Sequence, residues 1–104
     1  MSEREALIQV SALDSISNDY EDVATICREV TEWCAEEGLA VEQSEILNAL
    51  FVLVKRGLAK VYIESPQVGG LVEWENPSIP VDSYLYVTPE GKRLVIARMG
   101  GEDN

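Results

Sequence analysis

The chain contains no histidine. That absence removes His-assisted nucleophilic triads, zinc sites of the Cys/His type and the commonest general base near neutral pH. Positive charge is scarce as well: 8 Lys+Arg face 19 Asp+Glu over 104 residues, a formal net charge of −11. A balance that negative opposes non-specific attraction to nucleic acid or to an anionic membrane surface. Long apolar runs are also missing. The longest, Ala49 to Val54, has six residues, against the ~18 that a membrane-spanning helix needs. The opening Met1-Ser2-Glu3-Arg4-Glu5 is charged and leads into a helical pattern, so no secretory signal is expected. The two cysteines, Cys27 and Cys34, lie seven apart in a segment that reads as helix. Their Cα atoms would be roughly 10 Å apart, too far for a disulfide. They share a face with Val23 and Val30 and read as buried free thiols, which with no signal points to a cytoplasmic protein.

What is present suits one small domain. The hydrophobic fraction of 46% is ordinary for a globular chain, and the length allows one core. Residues 1–99 read as the domain and Gly100 to Asn104 as a frayed tail. Charge is uneven along it. Met1 to Val54 holds twelve acids against Arg4 and Arg28, a charge of −10, and the remainder is close to neutral at −1.

Ser2 with Glu5 three residues on is a capping-box pattern that opens a helix over about Glu3 to Ile16. Ala6, Val10 and Leu13 form one apolar stripe on it, and Ile8, Ala12 and Ile16 a second. Two stripes imply a helix held between two neighbours. Ser17-Asn18-Asp19 is a break, with Asn18 or Asp19 as N-cap of a second helix that runs to about Glu37 and ends at Gly38. A third helix spans roughly Glu42 to Arg56, with Ile46, Leu47, Leu50, Leu53 and Val54 at helical spacing, and Gly57 stops it. The period then changes. Lys60 to Glu64 and Tyr84 to Val87 read as strands, joined by a long punctuated connection in which Leu71 to Glu75 alternates like a short exposed strand. Thr88 caps a last helix that begins with Pro89 and carries Leu94, Val95 and Ile96.

Two stretches, ILNALFVLVKRGLAKVYI (Ile46 to Ile63) and YLYVTPEGKRLV (Tyr84 to Val95), resemble bacterial transcriptional regulators of the MarR and PadR kind. In those a helix ending in a Gly-Leu step leads into the first wing strand, and a Thr-Pro-Glu-Gly turn follows the last one. The resemblance implies an α+β winged-helix fold: a three-helix bundle, a β-hairpin wing and a short C-terminal helix. It also implies that the third helix enters a DNA major groove and that terminal helices build a dimer.

The residues at those positions point elsewhere. The outward face of the third helix carries Ser44, Glu45, Asn48, Val52 and Lys55, with Glu42 and Gln43 at its N-terminal end. Phosphate binding needs several Lys or Arg there. The wing repeats the pattern with Glu64, Glu73, Glu75 and Asp82, and no base lies between Lys60 and Lys92. The expected function is therefore a non-catalytic regulatory or adaptor module. It would bind a protein partner, of basic character, through Glu42, Glu45, Asn48, Val52 and Trp74. The alternative is a DNA-binding regulator whose contacts come from Lys55, Arg56, Lys60, Lys92 and Arg93, with Arg98 beside them. A weaker third is an acidic mimic of DNA. Ile8, Ala12 and Ile16 are the expected dimer interface, joined by Leu94 to Ile96. Carboxylate pairs such as Glu36-Glu37 read as solvated surface, since no nucleophile–base pair accompanies them. Gly69-Gly70 lacks the lysine of a phosphate loop. No enzyme, cofactor or metal site is expected.

Overall fold

The helical period of the first half and the alternation of the second fold into an α+β domain. The computed structural model describes residues 3–75, 78–80 and 82–99. The elements run α1 (Glu3–Ser15), β1 (Glu21–Asp22), α2 (Val23–Glu36), α3 (Gln43–Lys55), β2 (Ala59–Ser65), β3 (Gly70–Trp74), β4 (Tyr84–Val87) and α4 (Pro89–Met99). Ser2 and the tail from Gly100 to Asn104 lie outside the described residues.

α1 sits between neighbours, as its two stripes require, and all of them belong to the same chain: it packs on α2, α3 and α4. Ile8, Ala12 and Ile16 are 2%, 0% and 0% exposed. The dimer interface expected on Ile8, Ala12 and Ile16 is therefore corrected; these side chains are core because the other helices enclose α1. Of the α4 residues expected to join them, Val95 is buried, Leu94 packs against the core and only Ile96 is exposed.

α2 starts three or four residues later than the Asp19 or Asn18 cap predicts. Glu21 and Asp22 first enter the sheet as β1, and Asp22 is the N-cap, its Oδ1 accepting from the Thr25 N–H at 3.0 Å. Hydrogen bonding from Thr25 holds the Asp22 carboxyl below its usual range. α3 buries Ile46, Ala49, Leu50 and Leu53. Gly38 and Gly57, which follow α2 and α3, have φ of 77° and 76°, the left-handed conformation that closes a helix most cheaply at glycine.

The sheet has the order β1-β4-β2-β3, with every pairing antiparallel. β2 is central. On one side Ala59 lies opposite Val87 and Tyr62 opposite Tyr84; on the other Val61 faces Trp74 and Ser65 faces Gly70. The two expected strands thus pair, but the connection between them folds back as a third strand on the opposite edge of β2. Ala59, Val61, Leu85 and Val87 turn inward to the core. Tyr62, Tyr84 and Tyr86 alternate onto the other face, where Tyr20 stacks on Tyr86 at 4.8 Å and meets Tyr62 edge-on at 5.0 Å.

The two sequence stretches meet where α4 begins. The Thr88 N–H donates to the Leu58 carbonyl at 3.0 Å, and Thr88 Oγ1 donates to the Gly57 carbonyl at 2.8 Å while accepting from the Gly91 N–H at 3.1 Å. One side chain therefore caps α4 and ties it to the end of α3.

Candidate functional site

With Ile46, Leu50 and Leu53 turned inward, the helical period presents Leu47, Asn48, Phe51, Val52 and Lys55 outward. Leu47 is 38% exposed, Phe51 42% and Val52 37%. They make an apolar stripe on the outer face of α3, with the Lys55 ammonium 5.9 Å from the centre of the Phe51 ring. Leu47 was expected inside, on the buried stripe. It lies one position from the buried Ile46 and Ala49–Leu50 row, far enough round the helix to reach solvent.

Of the expected partner-binding residues, Glu45, Asn48 and Val52 come together in a groove of about 110 Å³ between α1 and α3, with Glu5 and Gln9 opposite. Glu45 is already engaged. Arg4 grips it with two bonds, Nε to Oε2 at 2.7 Å and Nη2 to Oε1 at 2.8 Å, and the same Oε1 accepts from the Glu42 N–H at 2.9 Å. This fork, with the backbone bond, lowers the Glu45 carboxyl to about 2. Glu45 therefore fastens α3 to α1, and Glu42 is an exposed N-cap residue at the entrance of α3.

Trp74 stands apart from that groove. It is half-buried against the core, and its Nε1–H donates to the Ser78 carbonyl at 3.0 Å. It lines a larger groove of about 780 Å³ beside the β2–β3 hairpin. The partner-binding set read from sequence is thus divided between two surfaces.

Four of the bases of the alternative reading have local partners. Lys60 pairs with Glu73 at 3.6 Å, Arg93 with Glu90 at 3.6 Å, and Arg56 Nη1 donates to Gln9 Oε1 at 3.1 Å. Lys55 leans on Phe51, and Lys92 is exposed on α4. The side chain of Arg98 lies outside the described residues.

The aromatic face of the sheet was not singled out from sequence. Its signal is the alternation Tyr84-x-Tyr86 opposite Tyr62, which puts three rings on one face of a pleated sheet. Burial pushes the Tyr62 hydroxyl above its usual range. Cys34 is buried and Cys27 half-buried, both free, and burial raises both thiols, away from the thiolate that reactive cysteines need. Among the described residues, no group of three or more His, Cys, Asp or Glu could hold a metal ion, and no helix is long and apolar enough to cross a membrane. No family model, curated protein or solved structure matches the chain.

Proposed function

We propose that this chain is a non-catalytic winged-helix module that binds another protein through the outer face of α3. Support for the fold comes from topology. Three helices precede a wing in which β2 and β4 pair, β1 adds to β4, and α3 leads into β2 through the single Gly57-Leu58 step. The departure is β3, a strand folded into the connection of the wing.

The observation that carries the function is the exposure of Leu47, Phe51 and Val52 on the helix that a DNA-reading winged helix would insert into the major groove. Base edges there are mainly hydrogen-bonding groups, with the thymine methyl as the apolar exception. Phosphates need Lys or Arg, which this face lacks except for Lys55 at its end. An apolar stripe with the exposed acids Glu5, across the groove from Val52, and Glu42, at the start of α3, beside it suits a protein surface with an apolar anchor and a basic rim.

The test places a photoreactive phenylalanine analogue at position 51, crosslinks in the host lysate, and returns the captured protein to purified components. The partner is expected to associate more slowly as salt rises, by roughly tenfold or more over a physiological range, and to lose binding to Phe51→Glu. Binding that ignores salt, or that survives Phe51→Glu, overturns the proposal.

A further inference from the structure

The groove that holds Trp74 has a topological cause. The β2–β3 ladder continues to Ser65 opposite Gly70, whereas the β2–β4 ladder stops at Tyr62 opposite Tyr84. The chain before Tyr84 turns away instead of extending β4: Ser83 N and Oγ both donate to the Pro80 carbonyl, at 3.1 and 2.6 Å. The last residues of β2, Ile63 to Ser65, therefore run on without a β4 partner. Alternate peptide groups in such a stretch point to the side that β4 has left. The groove of about 780 Å³ opens there.

Its lining is chemically uneven. The rings of Trp74, Tyr84, Pro66 and Pro80, with Ile63, give flat apolar surfaces, and among the described lining residues the charged side chains are Glu64 and Asp82, both acidic. Trp74 is held in orientation because its indole N–H is already bonded to Ser78, so the ring offers a ligand its apolar surface and not a donor. Flat aromatic and proline rings pack well against proline rings, whose extended helix is preformed and loses little entropy on binding. Two carboxylates without a compensating base, on a chain of net charge −11, favour a cation beside those prolines.

We propose that this groove binds an extended, proline-containing segment of a partner protein that carries Arg or Lys, with Trp74 flanking it from the core side of the sheet and Tyr84 from the opposite side, and Glu64 and Asp82 meeting the cations. Among the described residues the site shares no lining residue with the α1–α3 groove, so it stands whether or not α3 docks a partner.

The experiment titrates the intact ¹⁵N-labelled protein with a synthetic peptide of alternating proline pairs and arginines, and with its counterpart bearing glutamate for arginine. The two indole N–H signals, from Trp33 and Trp74, serve as separate reporters. The arginine peptide is expected to shift the Trp74 indole and the amides of Ile63, Glu64 and Ser65 while leaving Trp33 unmoved. The glutamate peptide should bind at least about tenfold more weakly. Glu64→Lys with Asp82→Lys, both exposed and outside the core, should weaken the arginine peptide by about tenfold or more with the spectrum of the fold unchanged. Phe51→Glu should leave this titration unaltered, which separates it from the α3 reading. Equal response to both peptides, shifts confined to α3, or no shift at about 1 mM peptide overturns the proposal.

Discussion

Gly91 in the first turn of α4 faces the carbonyl of Leu58 so closely that a Cβ built on it would stand 2.2 Å from that oxygen and 2.7 Å from Val87 Cγ2. The glycine of the Thr-Pro-Glu-Gly turn is therefore required by packing: it lets α4 lie against the step that joins α3 to β2. Replacing a helical glycine with alanine ordinarily stabilises by up to about 1 kcal/mol. Here Gly91→Ala should destabilise by about 2 kcal/mol, the cost of forcing a methyl into a filled space, and lower Tm by roughly 10 °C. Calorimetry checks the sign, which is opposite to that of an open helical glycine.

Thr88 serves the same junction through its hydroxyl. Thr88→Ala leaves the Gly91 N–H without its acceptor and the Gly57 carbonyl without its donor, and should cost about 1–2 kcal/mol in a denaturant titration. Thr88→Ser keeps both bonds and should recover most of that loss.

Ile16 provides a test of how α1 is covered. It is fully buried in one chain, so Ile16→Ala should cost about 2–5 kcal/mol of folding stability with no change of oligomeric state at concentrations where the variant is folded. Light scattering beside urea unfolding distinguishes this from an interface residue, whose loss would shift mass and leave the fold intact.

The Arg4–Glu45 fork makes a pH prediction. Glu45 titrates near 2 in the folded chain against an ordinary value of 4.5. A depressed carboxyl stabilises the fold above the unfolded value and ceases to as pH falls through the folded one. The stability advantage of the native chain over Arg4→Met should therefore be constant from neutral pH down to about 4.5, shrink between there and about 2, and vanish below. Urea unfolding of both proteins across this range reads the difference. A gap that persists undiminished below about 2 would assign the effect to packing of the Arg4 stem.

Much of the fold was legible because its signals are local. The spacing of Ile46, Leu50 and Leu53, the stop at Gly57 and the Thr88-Pro89 start each concern a few adjacent residues, and the structure places those elements within a residue or two. The failures concern long-range partners. β1 is two acidic residues, Glu21 and Asp22, whose strand character comes only from pairing with Tyr84 and Leu85; nothing in their chemistry announces it. The second stripe of α1 was legible, but not that helices of the same chain bury it, so Ile8, Ala12 and Ile16 read as a dimer interface. Trp74 and Val52 both belong to the expected partner-binding set, yet the fold divides them between two grooves. Glu45 was counted as free acid because its partner, Arg4, is 41 residues away.

The reading of α3 as a protein-facing helix is tested most simply by what Phe51→Glu does not do: exposed at 42%, it should change folding stability by no more than about 0.5 kcal/mol. A larger loss in urea unfolding would mean that Phe51 belongs to the core and not to a docking face.

The most direct measurement is fluorescence anisotropy of a labelled random DNA duplex titrated with the intact chain at ~20 mM salt, where phosphate-based affinity is greatest. An acidic module whose α3 presents Leu47, Phe51 and Val52 should leave the anisotropy unchanged to about 100 µM protein. Binding in the micromolar range, weakened by neutralising Lys55 and Arg56, would contradict the account and make α3 a reader of DNA.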